Sequence, residues 1–234
     1  MDTVSEPHYT RTNTPEPEWQ SWFDHHPLRS STAQQMFSQY ARVVLLAPHP
    51  NDAVLGCAGI LMMLEQLHIP CSVVFVSDGK TPASEISLKL LSPNADIMRL
   101  HIPNGTISRA RNRLYHQLSH FVEDHDLLIC PWEYDGHPDH EAVADVALEL
   151  ALLKHIAVMR IPIRTWHWCA PDNQSIPWDQ ACRLPLDAAM QAKKAVAISV
   201  FRRQIQSDTT HTQRPILPDH VLAHYLRPFE LVFL

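Results

Sequence analysis

Two short stretches concentrate side chains that can do chemistry. One reads Pro48-His49-Pro50-Asn51-Asp52-Ala53, the other Asp135-Gly136-His137-Pro138-Asp139-His140-Glu141. Imidazole nitrogens and carboxylate oxygens are zinc ligands, and a hydrolytic zinc site uses three of them with one position left for water. His49, Asp52 and one histidine of the second stretch would make such a set. Zinc held there lowers the pKa of water to about 7 and polarises a carbonyl oxygen. An imidazole outside the set can steady the oxyanion of a tetrahedral intermediate. Each stretch also has an ordinary reading. His49 could end a strand, Asp52 could cap a helix starting near Val54, and Asp139 could cap a helix over 140–153. With 16 histidines in the chain, a pair three residues apart arises easily by chance.

What favours the chemical reading is where the two stretches fall. Val43-Val44-Leu45-Leu46-Ala47 and Leu127-Leu128-Ile129-Cys130 are continuous apolar runs, as expected of strands buried on both faces. Each candidate stretch follows one of these runs. Further strands are expected over 72–76, 98–102, 161–168 and 230–233. Helices are expected over 55–67, 83–91, 107–123, 138–153, 187–205 and 219–226. Alternating strands and helices predict an α/β fold with a single Rossmann-like, doubly wound, mostly parallel sheet and helices on both faces. Ligands of such sheets bind outside the carboxyl ends of the strands. That rule selects the loops at 48–53, 77–82, 103–106 and 131–138. Four of the chain's five glycines lie in or just beyond them.

Residues 1–35 are rich in Pro, His and Trp and show no clear period. They read as an irregular N-terminal arm, wrapped on the domain through Trp19 and Trp22, with residues 36–234 as the domain proper. Trp166 and Trp168 read as packing residues ahead of a sugar-stacking surface. Nineteen Lys plus Arg against 25 Asp plus Glu give a formal charge of −6, which offers no basic footprint for nucleic acid. Five cysteines form no Cys-x-x-Cys pair and fit a reducing, cytoplasmic setting. Neither a signal peptide nor a membrane span is legible. Gly-x-Gly-x-x-Gly, Walker A and Gly-x-Ser-x-Gly patterns are all missing, so nucleotide-cofactor and serine-hydrolase readings fall away.

The run Val43–Gly59 resembles the first signature of the LmbE-like/PIG-L deacetylases, and Asp135–Glu141 resembles their second. Ser77-Asp78-Gly79 and Leu100–Gly105 sit where that family has comparable loops, and the likeness extends over about residues 40–205. The resemblance implies a zinc-dependent hydrolase with Zn2+ on His49, Asp52 and His140. It implies His137 as oxyanion stabiliser, with Asp139 orienting it. The implied substrate is a small N-acetylated amino sugar conjugate of the N-acetylglucosamine type. A homo-oligomer is compatible with this picture. The family's first signature is His-Pro-Asp-Asp-Glu, whose first aspartate is the general base. This chain has Asn51 at that position and Ala53 in place of the glutamate. An amide holds water but takes no proton at neutral pH. Three outcomes stay open: a slow enzyme, a base supplied elsewhere (His137 or Asp78), or a catalytically impaired module that keeps the zinc site to bind a sugar or a partner.

Overall fold

The computed structural model describes residues 14–78, 82–207 and 219–234. The chain runs α1 (Glu16–His25), β1 (Arg29–Ser30), α2 (Ala33–Phe37), β2 (Arg42–Ala47), α3 (Asp52–Gln66), β3 (Cys71–Ser77), α4 (Pro82–Leu91) and β4 (Asp96–Ile102). It continues through α5 (Arg111–Phe121), β5 (Asp126–Pro131), α6 (Pro138–Lys154), β6 (Ala157–Ile161), β7 (Ala181–Pro185), α7 (Ala188–Ser207), α8 (Asp219–Tyr225) and β8 (Phe229–Phe233).

The eight strands form one sheet in the order β1-β7-β8-β6-β5-β2-β3-β4. Only β8 runs antiparallel to its neighbours. Alternation along β2 explains why both faces are covered. Val43, Leu45 and Ala47 pack under α3, α4 and α7, whereas Val44 and Leu46 pack under α5 and α6. From β2 the sheet grows through β3 and β4 on one side and through β5 and β6 on the other. The β2–β5 boundary is therefore the topological switch point, and Val43 sits opposite Leu127 across it.

Three expectations need correction. The N-terminal arm is not irregular where it is described. Pro17 and the acidic Glu16 and Glu18 suit a helix start, and Trp19, Trp22 and Phe23 form one buried stripe. Thr32 and Gln35 then close a capping box on α2, and Arg29–Ser30 joins the sheet beside β7. The two tryptophans do wrap onto the domain: Trp19 meets Trp166 edge-on at 5.2 Å. Residues 1–13 and Gly79 lie outside the described residues.

The strand expected over 161–168 is β6, which ends at Ile161. Pro162 has no N–H to give a ladder, and Asp135 collects the N–H groups of the next three residues, turning the chain into a 3₁₀ turn over Arg164–His167. The third correction is β7, an additional strand beyond those expected. Its pairing with β8 is long-range and has no local signature.

Candidate metal centre

The loop after β2 and the loop after β5 meet above the switch point. Ser77 on β3 donates from its N–H and its hydroxyl to the Pro48 carbonyl, at 3.0 and 2.7 Å, and so fixes the start of the first loop. His49 follows, and Asp52 opens α3. The His49 N–H donates to Asp52 Oδ2 at 2.8 Å. In the second loop Gly136 adopts φ +82, and a Cβ there would lie 2.6 Å from Trp168 Nε1. Glycine is thus needed both for the turn and for the close approach. The residue that caps α6 is His137: its Nδ1 accepts the Asp139 N–H at 3.1 Å, with Pro138 in the first turn.

His49 Nδ1 lies 3.2 Å from Asp52 Oδ2, His140 Nε2 lies 3.2 Å from the same oxygen, and the two nitrogens are 3.4 Å apart. The other nitrogen of each ring is already committed. His49 Nε2 donates to Asp139 Oδ2 at 3.2 Å, and His140 Nδ1 donates to Asp135 Oδ2 at 2.7 Å. Two imidazole lone pairs and one carboxylate oxygen therefore face one another, and all three are acceptors. A cation between them removes the conflict. Ligands about 2.0–2.1 Å from a tetrahedral zinc are separated by about 3.3–3.4 Å, which matches the three edges found here. These residues fit a zinc ion.

Without such an ion, protons take its part. Burial lowers the pKa of His49, but hydrogen bonds to Asp139 and Asp52 outweigh it and push the ring up to about 10. His140 is likewise pushed up to about 9, because Asp52 and Asp135 overcome its burial. Burial would raise the Asp52 carboxyl, yet the two imidazoles hold it far below the usual range. His137 goes the other way. Burial first, then the charges on His140, His49 and Arg164, push it down to about 4. It is a neutral ring whose Nδ1 accepts a backbone N–H, so its proton resides on Nε2 and that nitrogen is a donor.

A second triplet, His49, His137 and Asp139, has ligand-type atoms equally close together. It is the poorer cradle. Asp139 already accepts from His49 and from the N–H groups of Gly105 and Ile107, at 2.8 and 3.1 Å, and His137 Nδ1 is spent on the α6 cap.

His49, Asp52, His137, Asp139 and His140 thus come together. The carboxylate of Asp139 does not orient His137, as the resemblance implied; it holds His49, and only the Asp139 backbone N–H touches His137. The physical reason is the cap. The first turn of α6 directs the Asp139 side chain back across the switch point, where the loop after β4 supplies two further donors. Asn51 takes the position before α3 without a side-chain capping bond. Sequence reading missed the role of Asp135. Fully buried, it holds His140 and accepts from the N–H groups of Ile163, Arg164 and Thr165 and from the Thr165 hydroxyl. Its signal was available, since a metal-bound histidine usually donates its free N–H to a carboxylate.

Residues 44–151 match the family model PIG-L, described as GlcNAc-PI de-N-acetylase. Over this segment, a little under half of the chain, the sequence is similar to the PIG-L family. The matched family is one of de-N-acetylases. The PIG-L segment runs from β2 through most of α6 and contains the whole three-ligand cluster, but not the 163–165 turn that anchors Asp135. No curated protein matches the chain.

Solved structures share the fold. A deacetylase of the teicoplanin biosynthetic pathway aligns with a TM-score of 0.60 at 15% identity, over 82% of this chain and 96% of that one. A conserved protein from Thermus thermophilus aligns at 0.53 and 19%, over 71% and 81%. The N,N'-diacetylchitobiose deacetylase of Pyrococcus horikoshii aligns at 0.50 and 19%, over 74% and 73%. No helix among the described residues is long and apolar enough to cross a membrane.

Proposed function

We propose that this protein is a member of the PIG-L family and a zinc-dependent amide hydrolase that removes the acetyl group from a small N-acetylated amino sugar conjugate of the N-acetylglucosamine type. The observation that carries the reading is the convergence of three acceptor atoms, on His49, Asp52 and His140, at the switch point inside the segment that matches a de-N-acetylase family. Zinc bound there would supply Lewis acidity, lowering the pKa of water and polarising the acetyl carbonyl. Asp139 and Asp135 hold the two imidazoles in the tautomers that leave Nδ1 and Nε2 respectively free for the metal. His137, neutral and protonated on Nε2, donates a hydrogen bond to the oxygen that gains charge as the carbonyl becomes tetrahedral. It needs no protonation change to do so.

A second reading is favoured by Asn51. An amide beside Asp52 holds water by hydrogen bonds but accepts no proton, so the same pocket could retain zinc and sugar binding with turnover lost. Metal analysis of the purified protein, followed by acetate release from N-acetylglucosamine conjugates with the native protein and with Asn51→Asp, separates the two. Bound zinc and native turnover support the hydrolase. Zinc with turnover only in Asn51→Asp supports the binding module. Protein that takes up no zinc overturns both.

A further inference from the structure

Attack of water on an amide requires a group that takes a proton, and, given the hydrolase reading above, the groups around the cluster are already committed. Asp52 faces both ligand histidines. Asp135 and Asp139 each hold an imidazole and several backbone N–H groups. His137 keeps its bare nitrogen on the α6 cap. His167, against the Tyr225 hydroxyl, is pushed down to about 3 by burial and by the charge of Arg164. Asn51 carries no base.

One strand further along, the situation differs. The Ser77 bonds to Pro48 carry the β2–β3 ladder up to the residue before His49, and Asp78 is the next residue. Asp78 donates its N–H to the Ile102 carbonyl of β4 at 3.4 Å, while its carboxylate accepts from His101 Nδ1 at 2.7 Å. Both side chains are open, 54% and 62% exposed. His101 has φ +52, a left-handed backbone uncommon outside glycine, next to the register shift between Phe75 and Ser77. The loop beyond β4 then returns to the centre, where Gly105 and Ile107 donate to Asp139. The pair is therefore bracketed by two segments, each hydrogen-bonded to a loop of the metal centre.

We propose that the Asp78–His101 pair is the proton acceptor of this site. The Asp78 carboxylate fixes the proton on Nδ1 and leaves Nε2 of His101 as the free base. As the water oxygen bonds to the acyl carbon, one water proton passes to His101 Nε2. The C–N bond then breaks, the leaving nitrogen takes that proton, and acetic acid gives up its remaining proton to solvent.

The test uses the intact zinc-loaded protein. His101→Gln should lower kcat on an N-acetylglucosamine conjugate by about 10²–10⁴-fold, with KM and zinc content unchanged. The acidic limb of the native kcat/KM profile should vanish with it, and Asp78→Asn should lower kcat in the same direction. Independently of turnover, adding zinc to the native protein should shift the His101 Cε1–H resonance. Native turnover that His101→Gln leaves intact, or a His101 resonance indifferent to zinc, overturns the pair alone. Absence of native turnover on any such conjugate overturns the hydrolase reading and the pair's role together.

Discussion

His49 and His140 present opposite ring nitrogens to the same point. His49 reaches it from the end of β2 and turns Nδ1 inward; His140 rises from the first turn of α6 and turns Nε2 inward. What decides between the nitrogens is the carboxylate behind each ring, 3.2 Å away for His49 and 2.7 Å for His140. Asp135→Asn should therefore weaken zinc binding by about 10–100-fold, measured by competition with a chromogenic chelator. The amide cannot accept from His140 and from four other donors at once. Asn51→Asp is expected to leave zinc affinity within a few-fold of native in the same assay, because Asn51 is outside the three-ligand set. The types of the candidate ligands are readable from the two stretches, since imidazole and carboxylate suit zinc. That Asp139 serves His49 is not readable, because the two are far apart in the chain and meet only when β2 and β5 lie side by side.

Secondary elements set the direction of these side chains. Gly136 turns the chain from β5 into α6 against Trp168, and the His137 cap starts the helix with His140 facing the cluster. Gly136→Ala should cost about 1–2 kcal/mol for the left-handed backbone, plus the displacement of Trp168. Urea unfolding followed by circular dichroism would show the shift. Buried strands were legible because both faces of a parallel sheet demand apolar runs, as in β2 and β5. β6 was misplaced because residues 161–168 look strand-like by composition, whereas Pro162 and the buried Asp135 bend them. α1 was overlooked although its apolar spacing at 19, 22 and 23 is helical; the surrounding prolines and histidines masked a short pattern.

At the scale of the molecule, α1 is tied to the far end of the chain. Glu16 accepts from Arg227 Nε and Nη2, both at 2.8 Å, and from His224 Nδ1 at 2.5 Å, while the Arg227 guanidinium lies 4.1 Å from the Trp166 ring centre. All of these groups are buried. Burial raises the Glu16 carboxyl, but its bonds to His224 and Arg227 prevail and hold it below the usual value. A depressed folded pKa means that this stabilisation is full above the unfolded value of about 4.3 and is lost as pH falls through the folded one. Glu16→Gln should destabilise the protein by about 3–5 kcal/mol at pH 7, because it strands a buried guanidinium. Its urea midpoint should also fall less than the native one between pH 5 and pH 3. Trp19→Ala should cost about 3–5 kcal/mol, readable as a lowered midpoint in the same titration. Both variants would show that residues 16–25 belong to the folded domain rather than to a dispensable arm.

Apolar periodicity and ligand type are local properties, so a two-faced, mostly parallel sheet and the two loops of the candidate site are legible in the chain alone. Tertiary structure decided the rest. It placed β2 beside β5 so that three acceptors converge, sent the Asp139 carboxylate to His49, and joined Glu16 to Arg227. Each of these depends on contacts between residues scores of positions apart, and no local pattern encodes the direction from which a distant side chain will arrive.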